Sequence, residues 1–426
     1  MPLQNEIQSP RGIRFECSGC ANCCLQWPVP LTAKDYERIS SLPLSSSASA
    51  STRPLRSSRE NLQSFTHTLE KKIDGTCEFL QPDKRCQIHA EFGFQSKPSM
   101  CQLFPYSFTV TPDAVLCSLS FASSAVLYNS GRLLSEQDET MAQQFELFKN
   151  LFDCKSDAWQ NLQLIDGHPL SWEKYREIDK RLLALIETGK EAQASLATSE
   201  SLVTDEKTAT KNQEINPPEQ IPRRLQKAAQ LVLDLLPSPT AAEREPRMES
   251  RPKIVDQIFL KHLDRLYFPA QVFAEAKYDL DARDLLREMV SAPQTVSFGQ
   301  GKVALKFGDL INLKLKQLPE PCEDLLNRFL YVRFFSKLFF GPGFHHLSLL
   351  SGLNHLRVLH ILLRLKIKQI ILLTKSTTIE FEQLAELVRT LERRLTQMDF
   401  SGQSQAMLEV MLASPSRQER LPFLAD

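Results

Sequence analysis

The residues with the clearest chemical signature are cysteines, and most of them lie in the first part of the chain. The chain has 426 residues and 10 cysteines, and four of these form the string Cys17-Ser-Gly-Cys20-Ala-Asn-Cys23-Cys24. Thiolates separated by two residues can surround one soft metal ion or one iron–sulfur cluster. The pattern predicts a metal-binding module, and its candidate ligands are Cys17, Cys20, Cys23, Cys24, Cys77, Cys86, Cys101 and Cys117.

The spacing within the string indicates which sulfurs can share a metal. Cys17, Cys20 and Cys23 follow one another at intervals of three residues, so a single turn can present all three sulfurs. Gly19 can adopt the positive φ that such a turn needs. Adjacent cysteines usually point apart. We therefore expect Cys24 to serve a second site, or a role other than ligation, and not to bind the same metal as Cys23.

The later cysteines must fold back to complete the coordination shell. Cys77, Cys86 and Cys101 are separated by predicted loops and short strands, which suits ligands that arrive from different directions. Eight thiolates suffice for two four-cysteine sites, or for one cluster with additional structural or redox thiols. An electron-carrying or catalytic cluster, a structural zinc site, and a disulfide framework or transient metal carrier all remain open. Cys154 and Cys322 lie outside the group and are expected to fill the core.

Composition and charge argue against several classes of protein. The formal net charge is +0, which argues against a nucleic-acid binder held by a large basic field. Met1 is followed by a polar stretch and not by an apolar signal sequence. The most apolar segment, residues 347–373, carries four basic residues, so it predicts a packed amphipathic helix and no membrane span. The expected location is the cytoplasm, where clustered cysteines bind metals more often than they form disulfides.

The elements that would position the cysteines are short. Thr32 can cap a helix, because Asp35 follows three residues later. Residues 65–72 predict an edge strand, and residues 77–89 predict a hairpin that turns at 81–83. Residues 107–120 predict one or two strands.

The remainder of the chain is predominantly helical in pattern, so the predicted class is α+β, mostly α. A small cysteine-rich metal-binding module with short strands is joined to a larger helical domain. The predicted boundaries are a flexible lead-in at 1–13, the cysteine module at 14–125 with a Ser-rich insert at 40–58, a helical segment at 126–194, a polar linker or insert at 195–252, and a helical domain at 253–426. Individual predictions are helices at 138–152, 172–188 and 223–236, a hairpin at 296–309, and three or four long helices within 322–394.

The cysteine pattern resembles that of the CxxCxxCC cysteine-cluster proteins, which are zinc- or iron-chelating. The resemblance covers about residues 14–125. Its motifs are Phe15-x-Cys17-x-x-Cys20-x-x-Cys23-Cys24, Leu31-Thr-x-x-Asp35, Cys77-x-Phe79-Leu80, Cys86-x-Ile88-His89 and Pro98-x-x-Cys101-x-x-Phe104-Pro105. It implies that this module binds zinc or iron.

The helical half is similar to that of the flagellin lysine N-methylases. The similarity rests on Asn327-Arg-Phe-Leu-Tyr331, Phe335 and Leu338-Phe-Phe340, followed by a long helix. It implies an iron–sulfur protein, with a 4Fe–4S cluster, that uses S-adenosylmethionine to methylate lysines of flagellin. Those proteins carry a cysteine shortly after a Leu-Ser-Leu-Ala run, whereas here Leu119-Ser-Phe-Ala122 is followed by Ser123.

The function hypothesis is a metal- or iron–sulfur-cluster-binding protein. Its sharpest form is an S-adenosylmethionine-dependent protein-lysine N-methyltransferase that acts on a protein substrate. The alternative is a non-enzymatic zinc- or iron-chelating or electron-transfer protein with a helical partner-binding domain. The residues assign no catalytic group, and Gly299-Gln-Gly301 is expected to be a simple turn. The aromatic and basic stripe at 328–339 predicts one buried helix face in preference to a contact surface.

Overall fold

The computed structural model describes residues 6–25, 29–43, 52–54, 64–154, 156–187, 221–236, 252–269, 280–291, 293–315, 317–398, 400 and 402–425. Helices dominate, and the strands form small sheets, which confirms the predicted α+β, mostly α class. Most of the predicted linker at 195–252 and of the Ser-rich insert at 40–58 lies outside the described residues.

Short strands build the cysteine-rich part. The strands are β1 (Ile7–Gln8), β2 (Arg14–Phe15), β3 (Val29–Thr32), β4 (Thr52–Pro54), β5 (Phe65–Leu69), β6 (Tyr106–Val110), β7 (Val115–Leu119) and β8 (Arg132–Leu133). One sheet has the order β3-β5-β4, another has the order β1-β7-β6, and β2 pairs with β8. The two strands predicted within 107–120 are confirmed as β6 and β7. The strand predicted at 65–72 exists as β5, but it is central and not at an edge, because β4 pairs with its second side.

Four short helices connect these strands: α1 (Ala33–Ser40), α2 (Gln87–Phe92), α3 (Ser99–Leu103) and α4 (Ser124–Leu127). The predicted start of α1 is confirmed, because Thr32 and Asp35 form a reciprocal capping box. The predicted hairpin at 77–89 is wrong in its second arm. Only an isolated bridge joins Leu80 to Cys86, and the chain then enters α2, whose Gln, Ala and Glu residues favour a helix.

The helical part contains α5 (Asp138–Leu151), α6 (Trp172–Ile186), α7 (Ile221–Asp234), α8 (Ile254–Tyr267), α9 (Ala282–Ser291), α10 (Phe307–Asn312), α11 (Glu320–Phe335), α12 (Leu349–Thr374), α13 (Phe381–Gln397), α14 (Gly402–Ala413), α15 (Pro415–Arg420) and α16 (Pro422–Ala425). Two hairpins accompany them: β9 (Leu162–Ile165) with β10 (His168–Leu170), and β11 (Ser297–Phe298) with β12 (Leu305–Lys306). These elements confirm the individual helices and the hairpin that the sequence predicts after residue 126.

Helix α12 is the centre of the helical part. It packs against α7, α13 and α14, and 21 of its 26 residues are buried. The sequence predicts an amphipathic helix here, but the buried positions run all the way round it, since apolar residues occupy every face. No helix in the described part of the chain is both long and apolar enough to cross a membrane.

Helix α11 attaches the helical part to the cysteine-rich part. Its aromatic residues are buried, as the sequence predicts, and Phe329 and Phe334 are completely inaccessible. The Arg328 guanidinium donates to the backbone oxygens of Val126 and Leu127, both at 2.9 Å. Because these two carbonyls belong to α4, the arginine satisfies the end of a helix that borders the cysteine string.

Candidate metal centre

The structure brings together five of the eight candidate cysteines. Cys24, Cys77, Cys86 and Cys101 pack in a small apolar core of their own, whose centre includes Leu31. The thiol of Cys23 adjoins that of Cys24. We call Cys23, Cys24, Cys77, Cys86 and Cys101 the cysteine cluster.

The two adjacent cysteines point the same way, which corrects the expectation from the sequence. Asn22–Cys24 forms a short 3-10 turn after Ala21, which adopts a left-handed conformation with φ 62°. This turn leaves the Sγ atoms of Cys23 and Cys24 4.0 Å apart. Two sulfurs bound to one zinc at 2.3 Å and at the tetrahedral angle lie about 3.8 Å apart. The observed separation therefore suits two ligands of one metal.

Backbone contacts fix Cys77 and Cys86 next to this turn. The N–H of Cys77 donates to the carbonyl of Cys24 at 2.9 Å. Cys86 is the residue immediately before α2, and the N–H of Gln87 donates to the carbonyl of Phe79 at 2.8 Å. Main-chain bonds that do not depend on a metal therefore hold the Cys77 segment to the turn and the Cys86 segment to the Cys77 segment.

A buried carboxylate positions Cys101. Asp35 is completely inaccessible, and its Oδ1 accepts hydrogen bonds from the N–H of Ser99 at 3.1 Å and from its hydroxyl at 2.8 Å. Arg38 donates to the same oxygen and to the carbonyl of Lys97 at 2.8 Å. Ser99 is the first residue of α3, which carries Cys101, so Asp35 docks α3 onto α1. The sequence identifies Asp35 only as a helix cap.

The thiols of the cysteine cluster differ in acidity. A hydrogen bond from the Cys24 thiol, assisted by the charges of Lys97 and Lys71, lowers the pKa of Cys23 to about 6. The same hydrogen bond, together with burial, raises the pKa of Cys24. Burial raises the pKa of Cys77, and raises that of Cys101 to about 12. A metal that binds here must displace protons from the buried thiols, so its affinity depends on pH.

Of the two remaining cysteines of the string, Cys20 lies near the cysteine cluster. Gly19 has φ +65°, as predicted for the turn between Cys17 and Cys20, and Cys17 is exposed. Burial raises the pKa of Cys20, but hydrogen bonds from Ser124 and from the Asn22 backbone outweigh this effect and lower it. The charge of Cys23 also acts on the Cys20 thiol, so the two cysteines lie near each other. Cys20 stays a predicted ligand.

Cys117 lies elsewhere. It is completely buried in β7, within the large core shared with the helical part. Burial raises the pKa of its thiol, and no other cysteine contributes to that shift. Cys322, which was expected to fill the core, is 1% exposed in α11, and Cys154 is only partly buried. The structure thus separates Cys117 from the five thiols that converge.

Two arginines of helix α13 reach the cysteine string and the adjoining α4. Arg393 donates to the carbonyl of Asn22 at 3.1 Å, and Arg389 donates to the hydroxyl of Ser124 at 3.1 Å. The side-chain amide of Asn22 also donates to that hydroxyl, at 2.7 Å. Sequence reasoning missed both arginines, since no spacing rule connects positions that far apart in the chain.

The donor set fits zinc or iron. Thiolate is the ligand that both metals accept in structural and cluster sites. Three cations, Lys71, Lys97 and Arg393, lie close enough to Cys23 to interact with its charge. Among the residues that the structure describes, no group of three Cys, His, Asp or Glu side chains is placed so that it could hold a metal ion.

Comparison with known proteins gives two similarities. Residues 16–124 match the family model named CxxCxxCC, described as "Putative zinc- or iron-chelating domain". An uncharacterized protein of Methanocaldococcus jannaschii is 24% identical over 196 residues, which is 43% of this chain and 63% of that protein. The chain thus covers less than two thirds of that relative. No solved structure matches the chain. The family match supports metal binding by this part of the chain and carries no information about methyl transfer.

Proposed function

We propose that the chain is a metal-binding protein whose cysteine cluster holds one zinc ion or one iron–sulfur cluster. The observation that carries the proposal is the 4.0 Å separation of the Cys23 and Cys24 sulfurs, beside a small apolar core in which Cys77, Cys86 and Cys101 also pack. Five thiols exceed by one the four that a tetrahedral site requires. Cys17 and Cys20 remain candidate ligands, whereas Cys117 lies apart from them in the large core.

The surrounding charge supports a thiolate-rich centre. Four thiolates around one Zn²⁺, or around one oxidised 4Fe–4S cluster, leave a net charge of about −2. Lys71 donates to the carbonyl of Cys24 at 3.1 Å, and Lys97 lies within electrostatic range of Cys23. These ammonium groups oppose the negative charge that ligation creates. A zinc ion would hold together the loops that carry the cysteine cluster. An iron–sulfur cluster would do the same and would also carry one electron.

The deciding experiment is the metal and acid-labile sulfide content of protein purified without oxygen, together with its visible spectrum. Iron and sulfide in equal amounts, with a brown chromophore, identify an iron–sulfur cluster. Zinc without sulfide identifies a chelating or structural site. Protein that holds neither metal, and takes up neither on reconstitution, contradicts the proposal.

Serine variants test the ligand set. Cys24→Ser and Cys77→Ser should each lose most of the metal, because both thiols belong to the cysteine cluster. Cys322→Ser is the matched control, since it also removes a buried thiol but lies in α11, and it should keep the metal. Helix content by circular dichroism distinguishes loss of a ligand from global unfolding. Full occupancy in both cluster variants would exclude this assignment.

The finer hypothesis, an S-adenosylmethionine-dependent protein-lysine N-methyltransferase, rests on the resemblance of the helical half alone. Gly299 and Gly301, which form a G-x-G motif, belong to the β11–β12 hairpin and do not follow a strand that leads into a long helix. Equilibrium dialysis of the metal-loaded protein with labelled S-adenosylmethionine tests this hypothesis. Stoichiometric binding would support it, and no binding at millimolar cofactor would remove it while leaving the metal proposal intact.

A further inference from the structure

A pocket lies in the helical part, on elements that do not carry the cysteine cluster. It has a volume of about 620 Å³ and opens between α8 and the β11–β12 hairpin. Its lining includes the side chains of Lys261, Arg265, Thr295 and Ser297 and the backbone at Gly301. A volume of this size suits a small organic molecule.

Hydrogen bonds to residues beneath it hold the hairpin turn that forms the floor of this pocket. Gly299 has φ +88°, and its N–H donates to the buried carboxylate of Asp264 at 3.0 Å. A Cβ atom at Gly299 would lie 2.1 Å from the Gln369 amide nitrogen, so only glycine fits. The Gln300 side chain donates to the carbonyl of Phe268 at 3.3 Å. The hairpin turn is therefore held in one shape before any ligand arrives.

The buried Asp264 carboxylate beneath the turn already has a cationic partner. The Asp264 carboxylate pairs with the Lys366 ammonium at 2.7 Å, and that ammonium also lies over the rings of Phe268 and Phe298. The buried acid thus has its own buried cation. Asp264 interacts with the charge of Arg265 but forms its ion pair with Lys366.

The wall of the pocket is basic. Lys261 and Arg265 lie one turn apart on α8, so their side chains extend from the same face. Lys261 forms an ion pair with Glu288, which also contacts His262 at 3.0 Å. Arg265 is exposed and has no ion-pair partner among the residues that the structure describes. The exposed guanidinium can therefore pair with an anion at the opening, and Thr295 and Ser297 belong to the same lining.

We propose that this pocket binds a small anion that carries a phosphate group. The Arg265 guanidinium offers paired N–H donors that match two oxygens of a phosphate. The two hydroxyls add neutral donors, and the fixed hairpin turn spares the ligand the entropic cost of ordering a loop. The volume leaves room for an organic group beyond the phosphate. The proposal is independent of the metal centre, because none of these residues lies in the cysteine-rich part.

The test is isothermal titration calorimetry of the full metal-loaded chain, with inorganic phosphate and with adenosine monophosphate as probes. We expect saturable binding of at least one probe. Tighter binding of the nucleotide would indicate an organic phosphate as the ligand, and equal binding would indicate free phosphate. Both results support the site. No heat of binding from either probe at millimolar concentration would overturn it.

Charge variants locate the binding. Arg265→Gln should weaken binding about tenfold, which is the loss expected for one charge-assisted hydrogen bond. Arg283→Gln is the matched control, because Arg283 is equally exposed and lies on the neighbouring helix α9 but does not line the pocket. It should change binding less than twofold. If the two variants weaken binding equally, the effect is general electrostatics and the pocket is not the site.

Discussion

The most informative single substitution is Asp35→Asn, because Asp35 joins α1 to the helix that carries Cys101. The carboxylate is completely inaccessible. It accepts from the N–H of Thr32 at 3.2 Å through one oxygen, and from Ser99 and Arg38 through the other. Asparagine preserves the shape but has only one acceptor oxygen. Its side-chain NH₂ group must therefore face either the Thr32 N–H or the donors of Ser99 and Arg38.

The expected cost follows from those contacts. Loss of the bond to Thr32 removes half of the capping box, which costs about 1 kcal/mol. Loss of the negative charge weakens the bond from Arg38 by about another 1 kcal/mol, a modest value because the arginine side chain is 34% exposed. We therefore expect Asp35→Asn to destabilise the metal-free module by about 2 kcal/mol. If metal binding and folding are coupled, the apparent Kd for zinc rises about 30-fold.

The assay is competition for zinc against a chromophoric chelator, performed beside urea unfolding of the metal-free protein. Glu37→Gln is the control, since Glu37 is exposed on the same helix and should change neither quantity. A normal Kd for Asp35→Asn, despite the expected loss of stability, would refute the idea that Asp35 positions Cys101. An unchanged stability would refute the account of its hydrogen bonds.

Three further predictions concern acidity and the contact between the two parts. In metal-free protein, the rate at which iodoacetamide alkylates Cys23, followed by peptide mass spectrometry, should be half-maximal near pH 6. The midpoint pH should be higher in Cys24→Ala, which lacks the hydrogen bond from Cys24. A midpoint above pH 8 in the parent protein would contradict this prediction. Burial lowers the pKa of His355 and His360 to about 3, so the unfolded chain binds their protons first as pH falls below about 6.5. Urea unfolding should therefore show a loss of about 2 kcal/mol per histidine between pH 7 and pH 5, which a His355→Gln, His360→Gln double variant should not show. Arg393→Gln should raise the Kd for metal about tenfold without changing the stoichiometry, through loss of its bond to Asn22, and an unchanged Kd would mean that α13 only packs there.

Local chemistry made part of this structure predictable. The cap at Thr32 and Asp35, the positive φ of Gly19 and the hairpin around Gly299 each depend on a few adjacent residues. The central position of β5 was not predictable, because its second partner, β4, lies in a segment whose composition indicates a loop. Strand pairing between such segments has no local sequence signal.

The sequence predicted that the site consists of cysteines, but it did not predict which of them lie together. Spacing identified the cysteines, yet the convergence of Cys23 with Cys24 depends on the left-handed conformation of Ala21, a residue that rarely adopts it. The separation of Cys117 follows from the burial of the whole of β7, which places Cys117 in the large core. Both facts arise from tertiary packing, which a motif does not encode.

The contacts of the cysteine string argue that metal occupancy affects more than the cysteine-rich part. The string meets α13 through Arg393, and the adjoining α4 meets α11 through Arg328. A metal present at 1,000 times its Kd stabilises the state that binds it by about 4 kcal/mol. Arg393 and Arg328 bond to backbone groups at or beside the string, so α11 and α13 take part in that stabilisation to the extent that these bonds strengthen when the metal orders the string.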